Sequence, residues 1–109
     1  MELRNKILIL QELLKENKFE EVIKEASLLK HKIHIAETNK EIVTVLFNIL
    51  SLAYQNILDF QSSIKVMDEG LVFDKKNKFF LNNIAISYHK IKNYQKAERY
   101  FKRALKEDP

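Results

Sequence analysis

Residues 78–109 read KFFLNNIAISYHKIKNYQKAERYFKRALKEDP. Apolar residues recur every three or four positions, the period of one helical face. Two helices can be read from it, about 78–91 and about 94–107. Asn77 and Asn93 stand just ahead of them. Asparagine is a favoured N-cap because its side-chain oxygen accepts a bond from a free first-turn amide. Pro109 is the only proline in the chain. It lacks a backbone donor, so it stops a helix.

The same stretch recurs upstream. Residues 44–77 read TVLFNILSLAYQNILDFQSSIKVMDEGLVFDKKN. A shift of 34 places Asn48 on Asn82, Tyr54 on Tyr88, Ile57 on Ile91, Gln61 on Gln95 and Leu71 on Leu105. Phe47 falls on Leu81, Leu50 on Ile84 and Met67 on Phe101. Small residues align as well: Ser51 with Ala85, Ser63 with Ala97, Gly70 with Ala104. Sites kept small mark where helices approach closely. A glycine inside a helix costs about 1 kcal/mol relative to alanine, so Gly70 implies that space matters there. Overpacking at Ala104, as in Ala104→Leu, is expected to destabilise for the same reason.

The helical period extends to the start of the chain. A first helix is predicted over about 3–16. A second follows to about 36, with Asn17 as cap and Glu20 at capping-box spacing. A third runs to about 57 from a Thr38–Glu41 box, and a fourth, about 60–74, follows Asp59. Short connections make successive helices antiparallel neighbours.

In order and spacing, Leu81, Ile84, Ala85, Tyr88, Ala97, Phe101, Ala104 and Pro109 resemble the tetratricopeptide repeat. Leu81 stands where that family prefers Trp and Ala85 where it prefers Gly. Residues 44–77 match through Phe47, Leu50, Ser51, Tyr54, Ser63, Met67 and Gly70, with Lys75 in place of the closing proline. Residues 3–36 match through Ile9, Leu13, Phe19 and Ala26, while Leu10, Val22 and Leu29 fill the small sites. The resemblance implies an all-α, right-handed solenoid of three antiparallel helix pairs. It implies one domain over 1–109, with a degenerate first repeat at 3–36, a second at 44–77 and a third at 78–109. Seven residues separate the first two repeats. They are expected to lengthen the second and third helices together.

Composition narrows the function. The chain has 109 residues, one glycine and no cysteine. That leaves no Gly-rich phosphate loop, no thiol nucleophile and no thiolate metal site, and no enzyme signature or cofactor motif stands out. His31, His34 and Glu37 have spacing suited to a metal, but their stretch is amphipathic and reads as a solvated helix end. The opening MELRNKILIL does not read as a secretion signal, because Glu2 interrupts its basic part and its apolar run is short. A cytoplasmic protein away from membranes is expected. The net charge of +4 lies wholly in the last third. There Lys90, Lys92, Lys96, Arg99, Lys102, Arg103 and Lys106 form a basic cluster interrupted by Glu98 and Glu107. Without aromatic interleaving it reads as a solvated face, and nucleic-acid binding stays the minor alternative.

The resemblance points instead to a non-catalytic protein-interaction module with a peptide or helical segment of a partner in a concave groove. A peptide-sensing fragment of a larger regulatory protein is a further alternative. Groove positions would be Val45, Asn48, Ile49, Leu52, Gln55 and Asn56, then Phe79, Asn82, Asn83, Ile86, His89 and Lys90. Arg4, Ile7, Gln11 and Leu14 would join from the first repeat. The peptide-binding set is expected to be Asn48, Leu52, Gln55, Phe79, Asn82, Asn83, Ile86 and His89. Asn83 matches an asparagine that holds ligand backbone in several relatives. Family members that clamp a C-terminal carboxylate use Lys, Asn and Arg. Those places here are Ile7, Gln11, Ile49, Phe79 and Asn83, so only Asn83 fits. Pro109 closes a repeat, so the sixth helix has nothing to cover it. Weak self-association through Tyr100 and Leu105 is expected, whether the array is cut there or that helix pairs with another molecule.

Overall fold

The computed structural model describes residues 2–107. Six α-helices follow one another: α1 Leu3–Lys15, α2 Phe19–Lys32, α3 Lys40–Asn56, α4 Phe60–Phe73, α5 Lys78–Lys90 and α6 Tyr94–Glu107. No strand occurs among the described residues. Each helix packs on its successor, and α1, α3 and α5 also touch one another in turn. Three helix pairs therefore stack side by side into a body of 42 × 29 × 21 Å. Pro109, read as the stop of the last helix, lies outside the described residues.

One turn is used three times. α1, α3 and α5 each end on a residue in the left-handed conformation: Asn17 (φ 62°), Leu58 (φ 66°) and Lys92 (φ 66°). In each, that residue's amide and the next one reach back to the last carbonyls. Lys18 N donates to Leu13 O at 3.0 Å, Asp59 N to Tyr54 O at 2.9 Å and Asn93 N to Tyr88 O at 2.9 Å. This six-to-one bond is the Schellman arrangement that satisfies orphan carbonyls. Asn17 thus ends α1 rather than capping α2, whose N-cap is Lys18 with no side-chain bond. Asparagine tolerates left-handed backbone better than most residues.

The other caps follow side-chain chemistry. Asp59 Oδ1 accepts from Ser62 N, Asn77 Oδ1 from Phe79 N and Phe80 N, and Asn93 Oδ1 from Lys96 N. At α3 the cap is Asn39 rather than Thr38, accepting from Glu41 N at 2.8 Å. Thr38 instead donates its hydroxyl to His34 O at 2.7 Å. That bond closes a 3-10 turn at Ile35–Glu37. The extra residues between the first two pairs therefore go into this turn and a longer α3 of 17 residues, while α2 stops at Lys32. His34 lies past the end of α2, off the helical face that carries His31.

Phe47, Phe80, Leu46, Leu50, Met67, Ile84, Val22 and Val43 are fully buried. Gly70 is packed as the small-site pattern implies: a Cβ there would stand 2.7 Å from Cε2 of Phe80. Phe80 lies against Phe47, ring centroids 6.0 Å apart. In the first pair Leu10, Val22 and Leu29 occupy the small sites and are buried. With Leu10 and Val22 where the second pair has Ser51 and Ser63, α1 and α2 are less intimately packed than α5 and α6.

Candidate peptide-binding face

Because α1, α3 and α5 lie side by side, residues along one edge of each form a continuous strip. At the α1 end, Arg4, Ile7, Leu8, Gln11, Ile42 and Val45 line an open hollow of about 280 Å³. Leu8 is 58% exposed. It was not among the expected groove residues, yet it occupies the register of Ile49 and Asn83, and a consistent offset of 41 would have found it. Toward the middle, Leu52 is 38% exposed and Ile86 is half-buried. Ile7 and Ile49 are buried and offer the strip little surface.

The amides divide into two groups. Asn83 Nδ2 donates to Asn48 Oδ1 at 2.8 Å, joining α5 to α3 across the strip. The pair keeps the Asn48 amide hydrogens and the Asn83 side-chain oxygen for other partners, since each primary amide has further donors and acceptors. Gln55 turns inward. Its Nε2 lies 3.3–3.5 Å from the hydroxyls of Ser51, Ser63 and Ser87 and from Asn83 O. The three serines are fully buried and linked, Ser51 to Ser63 at 2.7 Å and Ser87 to Ser63 at 3.1 Å. An apolar neighbour would leave hydroxyls short of partners at a cost of about 1–3 kcal/mol each, so Gln55 serves the core more than the groove. Among the described residues no buried side-chain polar atom lacks a partner.

Phe79 and Asn82, at the register of Val45 and Asn48, stand on α5 where the strip meets the end of the stack. With Lys78, Phe101, Ala104 and Leu105 they line a hollow of about 460 Å³ between α5 and α6 at the end of the stack. Phe79 is 53% exposed. His89 sits at the last turn of α5, its ring edge-on to Tyr94 at 5.2 Å. The expected set thus spreads out: Asn48, Leu52, Asn83 and Ile86 along the strip, Gln55 beneath it, Phe79 and Asn82 where the strip meets the end hollow, and His89 by the last turn.

Tyr100 and Leu105 do not share a face. Five residues on a helix amount to about 500°, leaving side chains roughly 140° apart. Tyr100 stacks on Tyr88 with centroids 5.7 Å apart, while Leu105 is 65% exposed. Ala104 is only half-buried and borders the open hollow, so the expected overpacking at that site has nothing to press against. Nearby, burial pushes the Tyr88 phenol up, with the Asp68 and Tyr100 charges adding to it. Burial also raises the Asp68 carboxyl, and Lys96 partly offsets this. Among the described residues no three His, Asp or Glu side chains gather as a metal site. No helix among them is long and apolar enough to cross a membrane.

The family model for the tetratricopeptide repeat matches residues 79–109. This stretch is a tetratricopeptide repeat (TPR). The fold of the whole chain agrees. It is similar, at TM-score 0.82 and 15% identity, to the second TPR domain of Spaghetti (RPAP3) solved with the HSP90 peptide SRMEEVD. That match covers 98% of this chain and 87% of the other. A second neighbour is the C-terminal TPR-containing domain of a Plasmodium falciparum protein classed as FK506-binding, at TM-score 0.78 and 19% identity. It covers 98% of this chain and 78% of that one. At such identities the likeness is one of fold, and the fold is the expected all-α TPR solenoid. Among curated proteins no sequence matches the chain.

Proposed function

We propose that this chain is a non-catalytic protein-interaction module, built of repeats at 3–36, 44–77 and 78–109, whose concave strip holds a peptide or helical segment of a partner. The observation that carries this reading is the strip itself. Leu8, Val45, Leu52 and Ile86 form an apolar track, and the Asn48–Asn83 amide pair crosses it. Such a track buries alternate apolar side chains of a ligand, while amides read peptide groups whatever the side chain. The neighbour bound to an HSP90 peptide favours a peptide ligand in general. The ligand class here differs. SRMEEVD is acidic, and the clamp positions of this chain hold Ile7, Gln11, Ile49, Phe79 and Asn83 in place of a cationic set. An apolar, uncharged segment suits this strip better than an acidic tail.

Asn83→Ala is a poor test, because it also releases Asn48. Leu52→Lys and Leu8→Lys change exposed side chains and leave the core intact. Screened on a peptide array, the wild-type chain should select apolar segments over EEVD-type tails. Both variants should lose that selection with helicity unchanged. Selection of acidic tails by the wild type, or unchanged binding by both variants, would discard the concave strip as the site.

A further inference from the structure

Between α1 and α3 the concave strip opens into the hollow of about 280 Å³. One of its walls belongs to the repeat, and part of the other does not. α5 begins at Lys78, whose counterpart 34 residues earlier is Thr44, yet α3 begins at Lys40. The first turn of α3, residues 40–43, is therefore an addition to the repeat, supplied by the residues between the first two pairs. It brings Glu41 and Ile42 to the hollow, beside Leu8 and Val45. Arg4 stands on the α1 wall and Glu41 on the α3 wall. Both are exposed, and among the described residues neither side chain forms an ion pair or a hydrogen bond. Glu41 suits the start of its own helix, because a carboxylate there meets the positive end of the helix dipole. Arg4 does not. It lies in the first turn of α1, where a cation opposes the dipole and no acidic residue stands beside it.

An unpaired cation on one wall and an unpaired carboxylate on the other select among occupants. An acidic side chain would meet Arg4 but be repelled by Glu41, and a basic one would meet the reverse. An aliphatic side chain would fill the space and answer neither charge. An aromatic ring answers both. Its face is negative and its edge positive, so the face attracts a cation while the edge attracts a carboxylate. The chain uses the first of these contacts itself: Lys30 lies 5.8 Å from the Phe47 ring centroid, and Arg103 lies 5.0 Å from that of Tyr100. We infer that the α1–α3 hollow seats an aromatic side chain of the bound segment, with its ring face toward Arg4 and its edge toward Glu41. This inference rests on the strip being the ligand site. It makes Arg4 a specificity-determining residue, and the partner an uncharged segment anchored by Phe, Tyr or Trp.

The probes are uncharged peptides of Ser, Ala and Leu that carry Phe, Tyr, Trp, Leu or cyclohexylalanine at one central position. Cyclohexylalanine keeps the size and apolar surface of Phe and lacks its π-face. By fluorescence anisotropy the Phe peptide should bind about two- to fivefold more tightly than the cyclohexylalanine peptide, the ratio that a partly exposed cation–ring contact supplies. In methyl NMR spectra the Phe ring should shift Leu8, Ile42 and Val45. Arg4→Gln should erase the ratio, and Arg4→Lys, which keeps the charge, should keep most of it. Both variants should still prefer the apolar peptides to an EEVD-type tail. Equal binding of the Phe and cyclohexylalanine peptides, or an unchanged ratio in Arg4→Gln, would overturn the inference and leave the strip as the site. Failure of the strip reads differently. Leu52→Lys, outside the hollow, would then leave the binding of every peptide unchanged, and the inference would fall with it.

Discussion

Replacing Gly70 with alanine sets two opposing terms against each other at one atom. In an exposed helix the change gains about 1 kcal/mol from helix propensity. Here the new methyl would lie 2.7 Å from Cε2, 2.8 Å from Cδ2 and 3.1 Å from Cζ of Phe80. The ring would have to retreat by roughly 0.7–1 Å to reach ordinary contact, in an interior packed as densely as an organic crystal. It has nowhere to go. Phe80 is fully buried, and Phe47, buried in turn, backs it at 6.0 Å. Overpacking of this kind costs about 1–3 kcal/mol, and two ring carbons below contact distance place it in the upper part of that range. The net loss should be about 1–2 kcal/mol, a fall in melting temperature of roughly 5–10 °C for a domain of this size. Thermal melts followed by circular dichroism measure it. Phe80→Leu on the same chain should recover part of the loss, so the pair should be less destabilised than the sum of the singles. Ala104→Leu, at the same register but facing an open hollow, should leave the midpoint nearly unchanged. A Gly70→Ala protein as stable as wild type, or an additive double variant, would refute the close approach of α4 to α5.

Leu58 holds a left-handed backbone with its side chain 74% exposed. The strain is worth about 1–2 kcal/mol, and glycine's greater freedom in the unfolded chain returns about 0.4–1 kcal/mol of that. Leu58→Gly should therefore raise the urea midpoint, and a lowered one would contradict the turn. Asp68 has its carboxyl raised chiefly by burial, against the pull of Lys96. The folded chain then holds this proton more tightly than the unfolded chain. The group's contribution is most favourable at low pH and is lost as the pH rises through the carboxylate range. Asp68→Asn should gain stability relative to wild type near neutral pH, with the gap closing under acid. A gap that widens on acidification would reverse the assigned cause.

What could be read from the amino-acid order alone was whatever depends on neighbours in sequence. Six helices, their order and three of their caps, Asp59, Asn77 and Asn93, follow from apolar period and side-chain chemistry, because a helix face and a cap are local. Asn17 and Thr38 misled for the same local reason. Each can cap a helix, and each was claimed by a turn whose demand lies on its other side. Asn17 completes the Schellman bond of α1, and Thr38 closes the turn onto His34. The sequence carries both options, and only the direction of the chain beyond them decides.

The site was less legible because it depends on what stands across from each residue. Gln55 and Asn82 sit at groove register and are chemically alike, yet one faces three buried hydroxyls and the other an open hollow. The repeat register sets Gln55 on His89 and Asn82 on Asn48, but it does not say what stands across from either. Ser51, Ser63 and Ser87 come from three different helices, and their convergence appears only when those helices pack. The same logic separates Gly70 from Ala104. Both are small residues at one register, and both match the repeat. One is small because Phe80 lies against it, and the other borders an open hollow. A repeat pattern states that space is kept at a position. The neighbouring pair states for what.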